Sequence, residues 1–375
     1  MSPDLILLGI SLMIWGVGEG MFFIFQPLYL QQLGANPVAI GAILGAAGIA
    51  MALAHIPAGH LADRIGRKPL LLAAWITAMI ATWVMALAPS LPFFVVGMMI
   101  YNLTAFVSSP MNSYITAARG RLGVGRAITM VSALYNSGAI LGPWLGGQIG
   151  QHFGLRTIYV IAGCAFILSS IVLFFIKSQP IEIHESEHVN NSKVVDRRFV
   201  TYQLVIFLAG FSMYLAQPLS SNYLQNQQQL SLNSIGILGS ISSIGIVILN
   251  LGLGSLNARI GFLLGQLSVC MFNLILWQAT GFPWFCLAYF LVGGYRITRS
   301  LATAQTRSLV HQSRMGLAYG ITETVGASAI ILASPVAGLL YAINPTLMYI
   351  IGFCLISISM MVSARFIPRL EVSAG

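Results

Sequence analysis

Three charged side chains lie far inside long apolar stretches of this sequence: Glu19, Arg296 and Arg299. Each such charge costs about 2.5 kcal/mol or more in a hydrocarbon environment unless it is paired or hydrated. In apolar surroundings, a carboxyl group such as that of Glu19 can take up and release a proton. A structural hydrogen bond to another helix is the alternative role for Glu19.

Arg296 and Arg299 are predicted to share one helix face with Ser300 and Thr303, because steps of three and four residues stay aligned. This cationic stripe could bind an anionic group of a solute or pair with Glu19. The alternative is a packing bridge between the arginines and Glu323. We also consider Glu323 as a second candidate for proton coupling.

Aromatic and amide side chains in the same apolar stretches could form the walls of a cavity for small amphipathic molecules. Packing against other helices or against lipid is the alternative for each of them. The candidates are Trp15, Phe22, Gln26, Tyr101, Asn102, Phe106, Tyr214 and Gln217.

The sequence contains no catalytic constellation. It offers no nucleophile with a nearby base and no phosphate-binding loop, and its histidines lack the spacing of metal ligands. We therefore expect no enzymatic activity, no metal and no cofactor. The six histidines are His55, His60, His152, His184, His188 and His311.

The elements that carry these residues are predicted to be membrane-spanning helices. The 375 residues are 57% hydrophobic and 7% charged, whereas soluble domains carry about a quarter charged residues. Stretches of roughly 20 apolar residues can cross a hydrocarbon core of about 30 Å. We predict twelve spans, at 5–30, 38–62, 69–89, 92–116, 127–150, 156–177, 199–222, 233–257, 262–280, 283–306, 316–342 and 345–366.

The basic residues behind the net charge of +9 follow the even-numbered spans rather than forming one patch. The odd-numbered exits offer only Arg156. Cytoplasmic loops carry an excess of lysine and arginine, so both termini are predicted to be cytoplasmic. This distribution argues against nucleic acid as a partner and predicts a multi-pass integral membrane protein.

The two halves of the chain resemble each other. Ile40 and Gly41 match Ile235 and Gly236, and four positions from Gly59 to Gly66 match positions 254–261, all at a separation of 195 residues. The Gln-Pro-Leu at 26–28 recurs at 217–219, and Pro143 with Gly146 recurs as Pro335 with Gly338. We predict a six-helix unit at 1–177, a cytoplasmic linker at 178–198 and a second six-helix unit at 199–375.

The loop between the second and third spans carries the most specific motif. Positions 59–70 read Gly-His-Leu-Ala-Asp-Arg-Ile-Gly-Arg-Lys-Pro-Leu, which resembles the signature loop of the major facilitator superfamily. By that resemblance, Asp63 would hold the two halves together on the cytoplasmic side, and we expect Arg119 as its cationic partner. The predicted gating residues of this loop are Gly59, Asp63, Arg64, Gly66 and Arg67.

The fifth span carries a second motif. Positions 142–147 read Gly-Pro-Trp-Leu-Gly-Gly, similar to an element of the antiporter branch of the same superfamily. Gly138, Gly142 and Gly146 share a helix face that allows another helix to approach, and Pro143 permits a bend. The motif favours export and assigns gating roles to Gly142, Pro143 and Gly146, with plain helix packing as the alternative.

The resemblance implies an all-α membrane protein with twelve transmembrane helices in two pseudo-symmetric six-helix bundles. It also implies that spans one, four, seven and ten line a central cavity. The expected function is proton-coupled export of small lipophilic or amphipathic compounds by alternating access. A carrier of organic anions or sugar-like solutes using Arg296 and Arg299 is the alternative, and a non-transporting receptor or scaffold is a remote one.

The expected partners are a small-molecule substrate, protons and membrane lipid. We expect a monomer in a cell membrane of bacterial or archaeal type. The arginine that the superfamily usually carries in the fourth span is missing, since this sequence has Tyr101 and Asn102 there.

Overall fold

The computed structural model describes residues 2–179, 196–306, 309–310 and 315–367, without the side chains of residues 55–65 and 315–317. Within these ranges the regular structure is helical. One short 3-10 helix, Thr104–Val107, accompanies sixteen α-helices. The α-helices are α1 Pro3–Phe23, α2 Gln26–Gln32, α3 Pro37–Ile65, α4 Arg67–Leu87, α5 Leu91–Leu103, α6 Ser108–Ala118, α7 Val124–Phe153, α8 Leu155–Phe174, α9 Arg197–Tyr214, α10 Ser220–Asn226, α11 Leu232–Gly254, α12 Ala258–Gln278, α13 Phe282–Val292, α14 Gly294–Thr306, α15 Met315–Ile343 and α16 Leu347–Phe366.

The repeated Gln-Pro-Leu produces a break at the corresponding place in each half of the chain. Span one divides into α1 and α2 just before Pro27, and span seven divides into α9 and α10 around Pro218. Proline has no backbone N–H to continue the helical hydrogen bonds. A tighter turn forms instead, in which Gln217 N donates to the carbonyl oxygen of Tyr214, three residues earlier, at 2.9 Å.

Spans four and ten are also broken. The 3-10 turn at Thr104–Val107 separates α5 from α6, and Pro110 removes the N–H that would bond back to Phe106 in a regular helix. In span ten, α13 ends at Val292 and α14 begins at Gly294. The four spans expected to line the cavity are therefore those that are interrupted.

Nine helical segments in the described part of the chain are long and apolar enough to cross a membrane. Their length and composition, together with the all-helical architecture, make this an all-α multi-pass membrane protein. The predicted total of twelve spans is compatible with these helices.

Contacts divide the chain into two units that cut across the predicted halves. The segment Leu224–Ser240 belongs with the first unit, and the segment Asn36–Gly45 belongs with the second. The start of α11 therefore packs with N-terminal helices, and the start of α3 packs with C-terminal helices. The boundary predicted at 178–198 lies mostly outside the described residues and stays a prediction.

Buried polar side chains join helices inside each unit. In the first, the Ser11 and Ser169 hydroxyls lie 2.9 Å apart, and Trp75 Nε1 donates to Ser11 Oγ at 2.9 Å. In the second, Gln203 Nε2 donates to Thr322 Oγ1 at 2.9 Å. Because apolar side chains gain little by leaving lipid, such hydrogen bonds and close packing hold membrane helices together.

Candidate functional site

The Glu19 carboxylate is held by two tyrosines of the first unit. Tyr101 OH donates to Glu19 Oε1 at 3.0 Å, and Tyr135 OH donates to Glu19 Oε2 at 2.7 Å. Glu19 is half-buried on α1, while Tyr101 lies on α5 and Tyr135 on α7. Both carboxylate oxygens of Glu19 therefore accept a hydrogen bond from a tyrosine on another helix.

The sequence did not single out Tyr135. It shares one face of α7 with Gly138 and Gly142, at steps of three and four residues, and that face packs against the helix carrying Glu19. The signal was therefore present in the glycine spacing, but recognising it required knowing which helix the glycines contact.

The glycine face predicted on span five is confirmed as a close-packing surface. A Cβ atom at Gly142 would lie 2.7 Å from Gly20 Cα, and one at Gly146 would lie 2.9 Å from Met21 Cα. Both distances are too short for any larger side chain. The α1–α7 contact fixes Glu19 and Tyr135 on adjoining backbones.

Three predicted cavity residues lie in an aromatic cluster within the first unit. The ring centroids of Trp15 and Trp75 are 4.5 Å apart, and Phe22 meets the Tyr101 ring edge-on at 5.3 Å. Phe22 is completely buried, and Trp15 and Tyr101 are 7% and 6% exposed. Trp15 and Phe22 pack in this cluster, and Tyr101 also donates to Glu19; contact of these three residues with a solute stays a prediction.

The remaining cavity candidates have mixed surroundings. Gln26 is buried, and the Asn102 and Gln217 amides each donate to a backbone oxygen one turn earlier, at 2.8 and 2.9 Å. Phe106 and Tyr214 are half-buried. Their contact with a solute stays a prediction.

The signature loop is only partly described. Gly66 has φ of +85°, a conformation that glycine adopts far more readily than other residues, and it precedes the first residue of α4. The side chains at Asp63 and Arg64, and the surroundings of Gly59, lie outside the described residues, so the predicted Asp63–Arg119 pair is not tested. Arg119 Nη1 donates to Thr116 O at 2.7 Å.

Two glycine contacts related by the sequence repeat join helices within the two units. In the first unit, a Cβ at Gly147 would lie 3.1 Å from Gly236 Cα, so α7 and the start of α11 touch. In the second unit, a Cβ at Gly41 would lie 3.0 Å from Gly338 Cα, so the start of α3 and α15 touch. We call these the α7–α11 and α3–α15 seams. Gly41 and Gly236 are equivalent in the repeat, so the two seams are built alike.

Arg299 pairs with Glu323, as one of the sequence alternatives proposed. Arg299 Nη2 lies 2.8 Å from Glu323 Oε2, and Thr303 Oγ1 donates to Glu323 Oε1 at 3.0 Å. The pair joins α14 to α15 within the second unit. Both carboxylate oxygens of Glu323 are thereby occupied.

Arg296 is exposed on α14 and does not share this pair. Its electrostatic neighbours are Tyr214 and Tyr295, whose ring centroids are 5.6 Å apart. Tyr295 is 7% exposed and was not among the sequence candidates. In the sequence, this region is marked by Gly293 and Gly294, where the helix breaks, and by the arginines that follow them.

An all-helical protein with spanning helices, four interrupted spans and charged side chains within those spans belongs to the class of multi-pass membrane transporters. A profile described as the Major Facilitator Superfamily matches residues 8–204 and again residues 202–374. The chain belongs to this superfamily, as its signature loop indicated. It is a transporter and not an enzyme.

Curated relatives of this chain are multidrug resistance proteins by name. The multidrug resistance protein MdtG of Salmonella arizonae is 29% identical over 301 residues, which cover 74% of this chain and 73% of that protein. The protein of the same name from Salmonella typhi matches with the same identity and coverage.

Solved structures share the fold at low sequence identity. A variant of the nucleoside transporter NupG matches with a TM-score of 0.82 and 14% identity, over 97% of this chain and 98% of that one. A bacterial homolog of the human lysosomal transporter Spinster matches with a TM-score of 0.71 and 15% identity, over 97% and 93% of the two chains. At these identities the likeness concerns the fold alone.

Proposed function

We propose that this transporter exports small lipophilic or amphipathic compounds in exchange for protons, by alternating access. The observation that carries the proposal is the Glu19 carboxylate, which lies within a spanning helix and is bonded through both oxygens to tyrosine hydroxyls. A coupling ion needs a group that can change its charge inside the membrane, and a carboxylate is such a group for a proton.

The geometry supports a switch at Glu19. While ionised, the carboxylate accepts from Tyr101 and Tyr135 on two different helices. Once protonated, the carboxyl group has an O–H donor on one oxygen. That oxygen is then a poor acceptor for a tyrosine hydroxyl that donates. Uptake of a proton would therefore loosen the link from α1 to α5 or to α7.

The glycine seams supply contacts that can open and close. The α7–α11 and α3–α15 seams rest on backbone approaching backbone, with few bulky side chains to disengage. We propose that both seams separate together during the transport cycle, since the repeat builds them alike. Gly142, Pro143 and Gly146 would act by keeping α7 against α1 while the far face of α7 moves.

The name of the MdtG relatives, multidrug resistance protein, supports export of drug-like compounds. The direction of transport and a cytoplasmic location of both termini remain proposals, the latter resting on the basic residues after even-numbered spans.

The test is transport by the purified protein in sealed proteoliposomes. A panel of fluorescent amphipathic compounds is loaded, and their flux is recorded with an imposed pH gradient, without one, and in liposomes that lack protein. The proposal expects flux that depends on both the protein and the gradient. Flux that is equal with and without the gradient would remove the proton from the mechanism.

A further inference from the structure

The second half of the chain has too few carboxylates for its arginines. Between positions 197 and 366 the sequence contains one acidic residue, Glu323, but eight arginines. Two of those arginines, Arg296 and Arg299, lie in span ten. A single carboxylate cannot neutralise both.

Both carboxylate oxygens of Glu323 already have a partner. Its Oε2 atom lies 2.8 Å from Arg299 Nη2, and its Oε1 atom accepts from Thr303 at 3.0 Å. Arg299 therefore has a counter-ion built into the fold, and the pair is neutral overall.

Arg296 has no such partner among the described residues. Its guanidinium forms no hydrogen bond or ion pair with the part of the chain that the structure describes, and its electrostatic neighbours are the rings of Tyr214 and Tyr295. Glu19 lies in the first span, and both of its carboxylate oxygens already accept hydrogen bonds from tyrosines of its own unit. A charge in this position needs either an anion or surrounding water.

The surface around Arg296 does not suit lipid chains. The exposed positions of α14 include Arg296, Ser300 and Ala304, and no large apolar side chain is exposed on this helix. The preceding helix α13 instead exposes Trp284 and Leu287. The exposed face of α14 is polar and small, as expected of a wall that meets water and solute.

We infer that Arg296 binds the anionic group of an amphipathic solute, with its apolar part lying against the half-buried Tyr214 ring. The inference rests on the proposed transport of amphipathic compounds and narrows it to those carrying a carboxylate or a similar anion. Arg299 contributes positive charge nearby but is held by Glu323. Arg296 is thus the specificity-determining residue.

The experiment compares two probes with the same ring system, one anionic and one neutral. 2-Naphthoate and its neutral amide, 2-naphthamide, are titrated calorimetrically into the purified full-length protein in nanodiscs of zwitterionic lipid, with empty nanodiscs as the blank. The proteins are wild type, Arg296→Gln, Arg296→Lys and, as a matched control, Arg365→Gln at the end of α16.

The expected result is that 2-naphthoate binds wild type at least tenfold more tightly than 2-naphthamide. Arg296→Gln should weaken 2-naphthoate binding about tenfold, equivalent to about 1.4 kcal/mol, and leave 2-naphthamide binding unchanged. Arg296→Lys keeps the charge and should lose less, while Arg365→Gln should behave as wild type. The lysine variant keeps the test valid if the glutamine variant does not fold.

Equal binding of the two probes to wild type would overturn the inference, and so would unchanged 2-naphthoate binding in Arg296→Gln. Displacement of 2-naphthoate by equimolar chloride would also overturn it, because the site would then accept any small anion. Gradient-driven flux of a neutral amphipathic compound is measured in parallel on wild type. If that flux persists while the probes fail to differ, the substrate assignment is wrong and proton-coupled export stands.

Discussion

The Tyr135 hydroxyl donates a hydrogen bond of 2.7 Å to Glu19 Oε2, from the same face of α7 that packs through glycine against α1. The carboxylate and its donor are therefore carried by two helices whose backbones approach closely.

Replacing Tyr135 by phenylalanine should shift the pH dependence of transport. The substitution removes the hydrogen bond that Tyr135 donates to Glu19, and hydrogen bonds to charged groups contribute about 1.5–3 kcal/mol.

The measurement is initial flux in proteoliposomes across a pH series. Tyr159→Phe serves as the control, because Tyr159 OH is buried without a hydrogen-bond partner among the described residues. A Tyr135→Phe profile that superimposes on wild type would show that this contact does not influence the coupling group.

Gly142→Ala should destabilise the protein. The added methyl group would meet the Gly20 backbone at 2.7 Å, and overpacking of this kind costs about 1–3 kcal/mol. Thermal unfolding of the detergent-solubilised protein should show a lower midpoint than wild type.

Gly125→Ala on the same helix is the matched control, since a Cβ there meets nothing within 4 Å. It should be neutral or slightly stabilising, because alanine favours helices over glycine by about 1 kcal/mol. If Gly142→Ala unfolds at the same temperature as Gly125→Ala, the close contact of α1 with α7 is incorrect.

The fold and the candidate site differ in how far the sequence predicts them. Apolar run lengths predict the spans, and the repeated Gln-Pro-Leu marks the breaks before Pro27 and around Pro218, because proline acts on its own helix. The signature loop identifies the superfamily for the same reason, since the motif is local.

The partners of Glu19 could not be predicted with the same certainty. Tyr135 is 116 residues away, and nothing in its neighbourhood distinguishes it from other tyrosines until α7 is known to pack on α1. Phe22 is completely buried, a fact that depends on which helices surround it and that the sequence does not show. Arg299 and Glu323 lie 24 residues apart on successive spans, so their pairing could be listed among the alternatives but not chosen.

The Arg299–Glu323 pair should appear as coupling in a double-mutant cycle. Removing one partner leaves an unpaired charge among spanning helices, whereas removing both leaves none. Arg299→Gln and Glu323→Gln should each lower the unfolding midpoint, and the double variant should lose less than their sum.

The expected coupling is about 0.5–3 kcal/mol, the range of residues in direct contact. Thermal or denaturant unfolding in one fixed detergent gives the unfolding free energies of wild type, the two single variants and the double variant. Strict additivity would mean that the two side chains do not interact in the membrane-embedded protein.

Gly236→Ala should slow transport, because it disturbs the contact of α7 with α11 in the α7–α11 seam. A side chain at Gly236 would meet the Gly147 Cα at 2.9 Å and prevent the seam from closing fully. Gly252→Ala on the same helix meets nothing within 4 Å and should transport normally. Equal initial rates for the two variants would remove the seam from the cycle.

The central claim is that Glu19 couples solute movement to protons, and accumulation against a gradient in proteoliposomes tests it most directly. Wild type, Glu19→Gln and Glu323→Gln are compared with and without an imposed tenfold proton gradient, which supplies about 1.4 kcal/mol per proton. Glu19→Gln should still exchange solute down its own gradient but should no longer accumulate it, while Glu323→Gln should still respond to the proton gradient. If Glu19→Gln accumulates solute as wild type does and Glu323→Gln fails to, the coupling role passes to Glu323. If neither change matters, proton coupling through a membrane carboxylate is contradicted.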